Sequence, residues 1–436
     1  MQFKGEITVM VSLVFLLMLS LIAALLASAT VQTRKSHTRA QMELALESVF
    51  AEFDRDMLEK YDLFVRADCD EETIQNRLQY YGMLNTTHTV TQSEFLTDQD
   101  GLPYYQAAVR YIKNYIGLGG TLGESGGTLE NDNSIKQLDS EAERTLSNLL
   151  SQDENSLLED GNPLSNIQNL KNSNLVSIVI PKEENISDRT IDTSELPSKR
   201  TLEEGVGTFE DQDGEGGIIE KTMFLAYLLE HFSHALESKE ETALSYEQEY
   251  LLVGGDEDKA NLESVLQKIL WVRMGINYVY LMTDEVKKAE ATAMAAGLCV
   301  LLTVPGVTEA VKQAILIGWA YGESIVDLKV LMKNQKVPLI KTAETWQLNL
   351  ANLVKLGTDD EVTGEKASRS GLSYADYLKA FLLLENRETL CMRSLDLIET
   401  NLGVQVDKCM TRVNITTKNQ LKKGVFDTFQ TEFRYK

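Results

Sequence analysis

The sequence predicts a mainly α-helical protein of the α+β class. It reads as one N-terminal transmembrane helix continuing into a long amphipathic helix, then a helical main domain and a small β element that includes a C-terminal hairpin. Three observations predict this. An uncharged apolar run opens the chain from Ile7 to Thr33. From Ile218 onward, apolar residues recur every three or four positions, the period of an amphipathic helix. The last stretch alternates instead, in two runs separated by Lys418 to Gly424, the pattern of an antiparallel hairpin.

The opening run holds Val9, Val11, Leu13, Val14, Phe15, Leu16, Leu17, Met18, Leu19, Leu21 and Ile22. About 20 apolar residues cross a bilayer as a helix, so residues 7–31 suffice. A retained anchor competes with a cleaved signal peptide, for which Ala27-Ser28-Ala29 offers a small-x-small site. The apolar run exceeds the usual length of a signal peptide, and its basic leader is only Lys4 and the terminal amine, so an anchor is expected. Arg34, Lys35 and Arg39 follow the helix, and the positive-inside rule alone would hold that end in the cytoplasm. Large domains translocate largely regardless of charge, and the expected topology is N-terminus cytoplasmic, C-terminal domain extracytoplasmic.

No Pro or Gly occurs between Glu6 and Tyr81. Met42, Leu46, Val49, Phe53, Met57, Tyr61 and Phe64 recur at helical spacing, which predicts a rod of about 80 Å at 1.5 Å per residue. Residues 65–116 read as mixed, with helices over 71–80 and from Leu102. Residues 117–220 are polar and glycine-rich, an insertion with patchy order in which Leu175 to Ile180 reads as a strand. Helices follow at Met223 to Leu236, Asn261 to about Leu302, from Pro305 to about Met332, and Tyr374 to about Leu402. Ala291 to Thr308 is uncharged; a second span and a buried helix both explain it, and its alanines with Pro305-Gly306 favour the buried helix. The expected organisation is anchor 1–33, membrane-proximal segment 34–116, insertion 117–220, helical main domain 221–402 and hairpin 403–436.

Net charge is −24, from 66 acidic and 42 basic residues. That balance argues against nucleic-acid binding and against broad contact with anionic lipid. Cys69, Cys299, Cys391 and Cys409 form no C-x-x-C pair; Cys391 and Cys409 are left as a possible pair outside the cell.

Motifs for chemistry are weak. Gly123-Glu124-Ser125-Gly126-Gly127 satisfies G-x-S-x-G but lacks the strand and helix a nucleophile elbow needs. Asp98-Gln99-Asp100-Gly101 and Asp211-Gln212-Asp213-Gly214 lack the first ligand of a calcium loop, where Leu96 and Phe209 stand. His231 and His234 stand at i, i+3 on a predicted helix, not at the i, i+4 of zincins. No enzyme, cofactor or metal is expected.

Several segments resemble a known group of proteins. Lys4-Gly5-Glu6-Ile7-Thr8-Val9 is similar to a "basic-Gly-x-Ile-Thr-Val" entry to a membrane helix, and Glu59-Lys60-Tyr61-Asp62-Leu63-Phe64 to an "E-x-Y-x-L-F" after it. Further matches are Glu249-Tyr250-Leu251-Leu252-Val253-Gly254, Asn261-Leu262, Arg273 and Asn277. Trp319-Ala320-Tyr321-Gly322-Glu323-Ser324 with Asp327, then Val337-Pro338-Leu339-Ile340-Lys341, Trp346 and Tyr374-Ala375-Asp376-Tyr377-Leu378 complete the set. Together they resemble an uncharacterised domain-of-unknown-function membrane-protein family of Gram-positive, mainly clostridial bacteria, linked to tight-adherence (Tad) pilus loci and carrying a pseudopilin-like N-terminus. The resemblance implies a structural or accessory component of a Tad pilus-like or secretion assembly, with the bilayer and membrane proteins of that system as partners. Prepilin processing wants a glutamate five residues after the cleavage glycine; after Gly5 that position is Met10 and the acid is Glu6, so an unprocessed anchor is expected.

Trp319, Glu323 and Asp327 fall at i, i+4, i+8 on one helix face, where the carboxylates could meet Arg273 or Lys341 as a structural or partner-binding cluster. The rival function is a membrane-tethered binding module for a ligand or cell-wall polymer, which would line a pocket with Trp271, Trp319 or Trp346. An envelope enzyme ranks last.

Overall fold

The computed structural model describes residues 3–84, 86–116, 175–180, 186–209, 217–237, 242–301, 307–350, 370–422 and 425–435. It is mainly helical and divides into two compact units. The first joins Met1–Tyr111, Arg200–Gly216 and Leu402–Lys436; the second joins Ile112–Lys199 and Gly217–Asn401.

In the first unit, helix α1 (Phe3–Phe50) carries the apolar run, and the 18-residue window that could cross a membrane is 0% buried. Past Arg34 one face becomes buried: Met42, Ala45, Leu46, Val49 and Phe50 join a core with residues of a β-sheet. The sheet orders β1 (Thr86–Phe95), β2 (Met410–Lys422) and β3 (Val425–Arg434), all antiparallel. Met410, Val413 and Ile415 of β2 and Phe95 of β1 join that core, with Val90 of β1 and Phe429 and Phe433 of β3 packed against it. The hairpin read from the alternating tail is present. Strand β1 was not anticipated, because its inward positions include His88 and Ser93 rather than an apolar series.

The expected rod stops short. Helix α1 ends at Phe50, and a separate helix α2 (Arg55–Tyr61) begins after Asp54, whose carboxylate accepts the Met57 amide at 2.8 Å. Tyr435 donates its hydroxyl to the Phe50 carbonyl at 2.6 Å, and the Phe50 ring stacks on Phe433 at 4.4 Å. The sheet thus satisfies a helix-end carbonyl that further helix would have taken. At 48 residues α1 is about 72 Å long. Phe53, Met57, Tyr61 and Phe64 are therefore not a continuation of its stripe. Helix α3 (Glu71–Tyr80) covers the same core through Ile74 and Leu78, and α4 (Asp98–Tyr115) follows β1.

The second unit corrects four boundaries. Leu175–Val179 is a short helix, α5, not a strand; Leu175, Val176 and Val179 are buried on one helical face, and so short an apolar run has no period to separate the two states. Helix α6 (Ile218–His231) ends before Leu236, because Phe232 and Ser233 carbonyls accept from Gln248. After α7 (Glu247–Val253), the long helix predicted from Asn261 is two: α8 (Asp258–Thr283) and α9 (Glu285–Leu301). Asp284 separates them by accepting the amides of Val286 and Lys287, an N-cap. Helix α10 (Thr308–Met332) follows. The stretch from Tyr374 is also two helices, α11 (Tyr374–Leu384) and α12 (Arg387–Leu402), the first opened by a Ser373–Asp376 capping box.

Ala291, Ala295 and Cys299 are buried along α9, which packs on α10; among the described residues only α1 is long and apolar enough to cross a membrane. All four cysteines are buried free thiols, so Cys391 and Cys409 do not pair.

Candidate functional site

The second unit brings the predicted cluster together. Glu323 and Asp327 lie one turn apart on α10, Arg273 on α8, and Lys341 on the segment after α10. All four are at most 2% exposed. Arg273 donates to Asp327 Oδ2 from Nε at 2.9 Å and Nη2 at 2.7 Å, and from Nη1 to the Pro338 and Leu339 carbonyls. Lys341 Nζ lies 2.7 Å from Glu323 Oε1 and 2.6 Å from Asp327 Oδ1. Glu323 also accepts the amides of Gln347 and Leu348. Asn277 Nδ2 bridges Ser324 Oγ at 2.9 Å and Asp327 Oδ2 at 3.0 Å.

Two carboxylates meet two cations, so the buried charge sums to zero. Burial raises the Glu323 carboxyl above its ordinary range, Lys341 opposes the rise, and Asp327 adds to it. Burial disfavours the Arg273 charge, yet Asp327 and Tyr377 together more than offset that and its pKa rises. A closed, balanced cluster of this kind ties α8, α10 and the 337–348 segment together.

Trp319 belongs to the wall beside it. The indole N–H groups of Trp319 and Trp346 both donate to the Leu348 carbonyl at 2.8 Å, with the rings edge to face at 5.7 Å. Lys287 Nζ lies over both, at 4.6 and 4.9 Å. Trp319 and Trp346 are 1% and 6% exposed, and Trp271 is half-buried. These two rings are buried in the core. Lys287 was missed because it lies on α9, in a helix not separated from α8 in the sequence.

Several residues of the central resembling segments are buried polar ties too. Glu249 is fully buried; Oε1 accepts the Tyr374 hydroxyl at 2.6 Å and the Ala235 amide at 3.0 Å, and burial pushes its carboxyl up to about 7. Tyr250 donates to Asp396 at 2.8 Å. Gly254 takes a left-handed φ of 74° where a Cβ would meet Arg393 Nε at 2.7 Å, and Asn261 closes the following turn on Gly255. Glu249, Tyr250 and Asn261 share a physical role: each satisfies buried polar groups that no apolar residue could.

The weak motifs do not assemble. His231 ends α6 with its ring tilted against that of Tyr227, centroids 4.3 Å apart, whereas His234 lies beyond the helix, so the two do not share a helical face. Asp98 is a clamp: it accepts the Phe95 amide at 2.8 Å and the Gly205 amide at 3.0 Å. Residues 123–127, with Ser125, and 211–214 lie outside the described residues.

In the first unit the notable surface is α1 itself. Its apolar half is bare, and its second half is pinned to the hairpin. Arg34 Nη1 donates to the Leu421 carbonyl at 3.1 Å, Asn419 donates to Thr38 at 2.8 Å, and Lys35 and Arg39 pair with Asp427 at 3.1 and 3.5 Å. The basic residues after the apolar run thus have a defined partner that hydropathy could not supply.

A family model described as "Family of unknown function (DUF5702)" matches residues 153–421, more than half of the chain. No curated protein and no solved structure matches.

Proposed function

Since the chain belongs to the DUF5702 family of unknown function, we propose its role from the parts it carries: a non-enzymatic, single-pass membrane-anchored protein that serves as a structural or accessory component of a Tad pilus-like or secretion assembly. One observation carries the reading. Helix α1 is continuous from Phe3 to Phe50, bare and apolar in its first half and packed on an antiparallel sheet in its second. Lipid can cover the bare half, and so can helices of neighbouring subunits. A rigid helix joined to a folded unit transmits position from membrane to assembly, as a pseudopilin-like subunit would. The closed charge balance at Glu323, Asp327, Arg273 and Lys341 supports a structural role for that cluster. The packing of Trp319 and Trp346 weighs against the rival reading of a carbohydrate or polymer groove.

In this reading the folded part is extracytoplasmic. Protease treatment of intact cells with the wall removed should cut within 117–220. Protection there, with cleavage only after lysis, reverses the topology. Crosslinking in membranes should recover the chain with other membrane proteins; recovery only as an isolated monomer sinks the assembly role.

A further inference from the structure

We propose that the end of the β2–β3 hairpin that carries Lys418, Val425 and Phe426 is a second membrane contact, seated on an anionic phospholipid surface beside the point where α1 leaves the bilayer. The proposal rests on the reading of α1 as a membrane anchor.

The height of this end follows from α1. The uncharged stretch from Ile7 to Thr33 is about 40 Å long at 1.5 Å per residue. A hydrocarbon core is about 30 Å thick, and a bilayer with its headgroups about 40–45 Å. The end of the stretch therefore emerges among the headgroups, with Arg34 at their outer edge. Arg34 is the residue that holds the Leu421 carbonyl. One turn further along α1, Thr38 holds Asn419. Deeper in the unit, Met410, Val413 and Ile415 pack with Met42, Leu46 and Phe50. Strand β2 thus runs antiparallel to α1, and its far end points toward the membrane.

This end has the composition of an interfacial anchor. Val425 is 47% and Phe426 51% exposed among the described residues. Lys418 Nζ stands 4.6 Å over the Phe426 ring. Aromatic rings flanked by basic side chains prefer the headgroup layer. Charge points the same way. Among the described side chains of segments 34–39 and 418–427, Arg34, Lys35, Arg39 and Lys418 stand against the one acid Asp427, in a chain of net charge −24. Lys35 and Arg39 already meet Asp427. Arg34 and Lys418 remain exposed to solvent on the membrane-facing end. Basic residues beside an anionic surface each contribute attraction that fades within a Debye length, so the contact requires the proximity that α1 enforces.

The test uses the full chain in phosphatidylcholine vesicles with and without phosphatidylglycerol. Because the four native cysteines are buried, Val425→Cys can be labelled selectively with an environment-sensitive fluorophore. Asp56→Cys, on the far side of α1's end, is the reference, and Leu19→Cys, at mid-bilayer depth and read with acyl-chain-quenching lipids, monitors the anchor. With headgroup-level quenching lipids, the 425 label should lose most of its emission and shift blue, while the 56 label is unaffected. The loss at 425 should grow with phosphatidylglycerol, shrink at high salt, and shrink again in an Arg34→Glu/Lys418→Glu background. A quenched Leu19 label with an unquenched 425 label overturns the proposal and leaves the anchor standing. An unquenched Leu19 label overturns the anchor reading itself. A 425 label that stays dry of lipid but crosslinks to a second copy makes this end a protein interface and also overturns the proposal.

Discussion

Replacing Lys341 with methionine tests the charge balance of the buried cluster. Lys341 contacts both Glu323 and Asp327, and all three side chains are sealed from solvent. Methionine keeps roughly the length of the chain and removes the charge. Asp327 retains Arg273 and Asn277, and Glu323 retains only the amides of Gln347 and Leu348. One net negative charge is then buried. Removing one partner of a buried pair costs about 3–5 kcal/mol, and that is the expected loss for Lys341→Met. In the double variant Lys341→Met/Glu323→Gln the cluster is neutral again, so the two losses should not add; a coupling of about 2 kcal/mol is expected. Chemical denaturation of the detergent-solubilised chain, followed by tryptophan emission, reads this unit directly because Trp319 and Trp346 border the cluster. The pH dependence has a definite sign. Without Lys341, the folded-state pKa of Glu323 lies further above its unfolded value, so the folded state binds that proton more tightly. The defect of Lys341→Met should therefore shrink as pH falls through the folded pKa toward the unfolded one. A loss under about 0.5 kcal/mol, within the range of ordinary surface substitutions, or fully additive variants, would refute the reasoning.

Glu249 gives a second pH test. Its carboxyl is raised to about 7 from an ordinary 4.5, so the folded state holds a proton that the unfolded state releases between those values. Stability should rise by about 3 kcal/mol on going from pH 8 to pH 4.5, and Glu249→Gln should remove that component from the denaturation midpoints. Tyr435→Phe removes the donor to the Phe50 carbonyl and should cost about 1 kcal/mol, with faster amide exchange confined to the last turn of α1 and the following residues. A Cβ at Gly205 would lie 2.1 Å from the Ser93 carbonyl, so Gly205→Ala should detach the 200–209 segment from β1 and expose it to limited proteolysis; unchanged cleavage there would contradict the packing.

Much of the helical unit was legible because its apolar residues repeat at the helical period. The start of α11 was read at Tyr374, where the helix does begin. The breaks at Asp284 and after Leu384 were not, because apolar periodicity runs through both and only local capping marks them. Asp284 ahead of Glu285 was the available signal. Strand β1 was hidden for a different reason: His88 is paired with Thr417 at 3.1 Å, a polar contact across strands that hydrophobic alternation cannot reveal.

From the sequence alone came the apolar N-terminal helix, the predominance of helix, the C-terminal hairpin and the composition of the Glu323–Asp327–Arg273–Lys341 cluster. Each is a local signal: a run, a period, or spacing on one helix face. The tertiary structure decided where α1 stops, which strand flanks the hairpin, and which carboxylate meets which cation. Those outcomes depend on contacts between residues far apart in the chain, such as Tyr435 with Phe50 and Lys341 with Glu323. A buried polar group takes whichever partner the fold brings within hydrogen-bonding reach, and only the assembled core settles that choice.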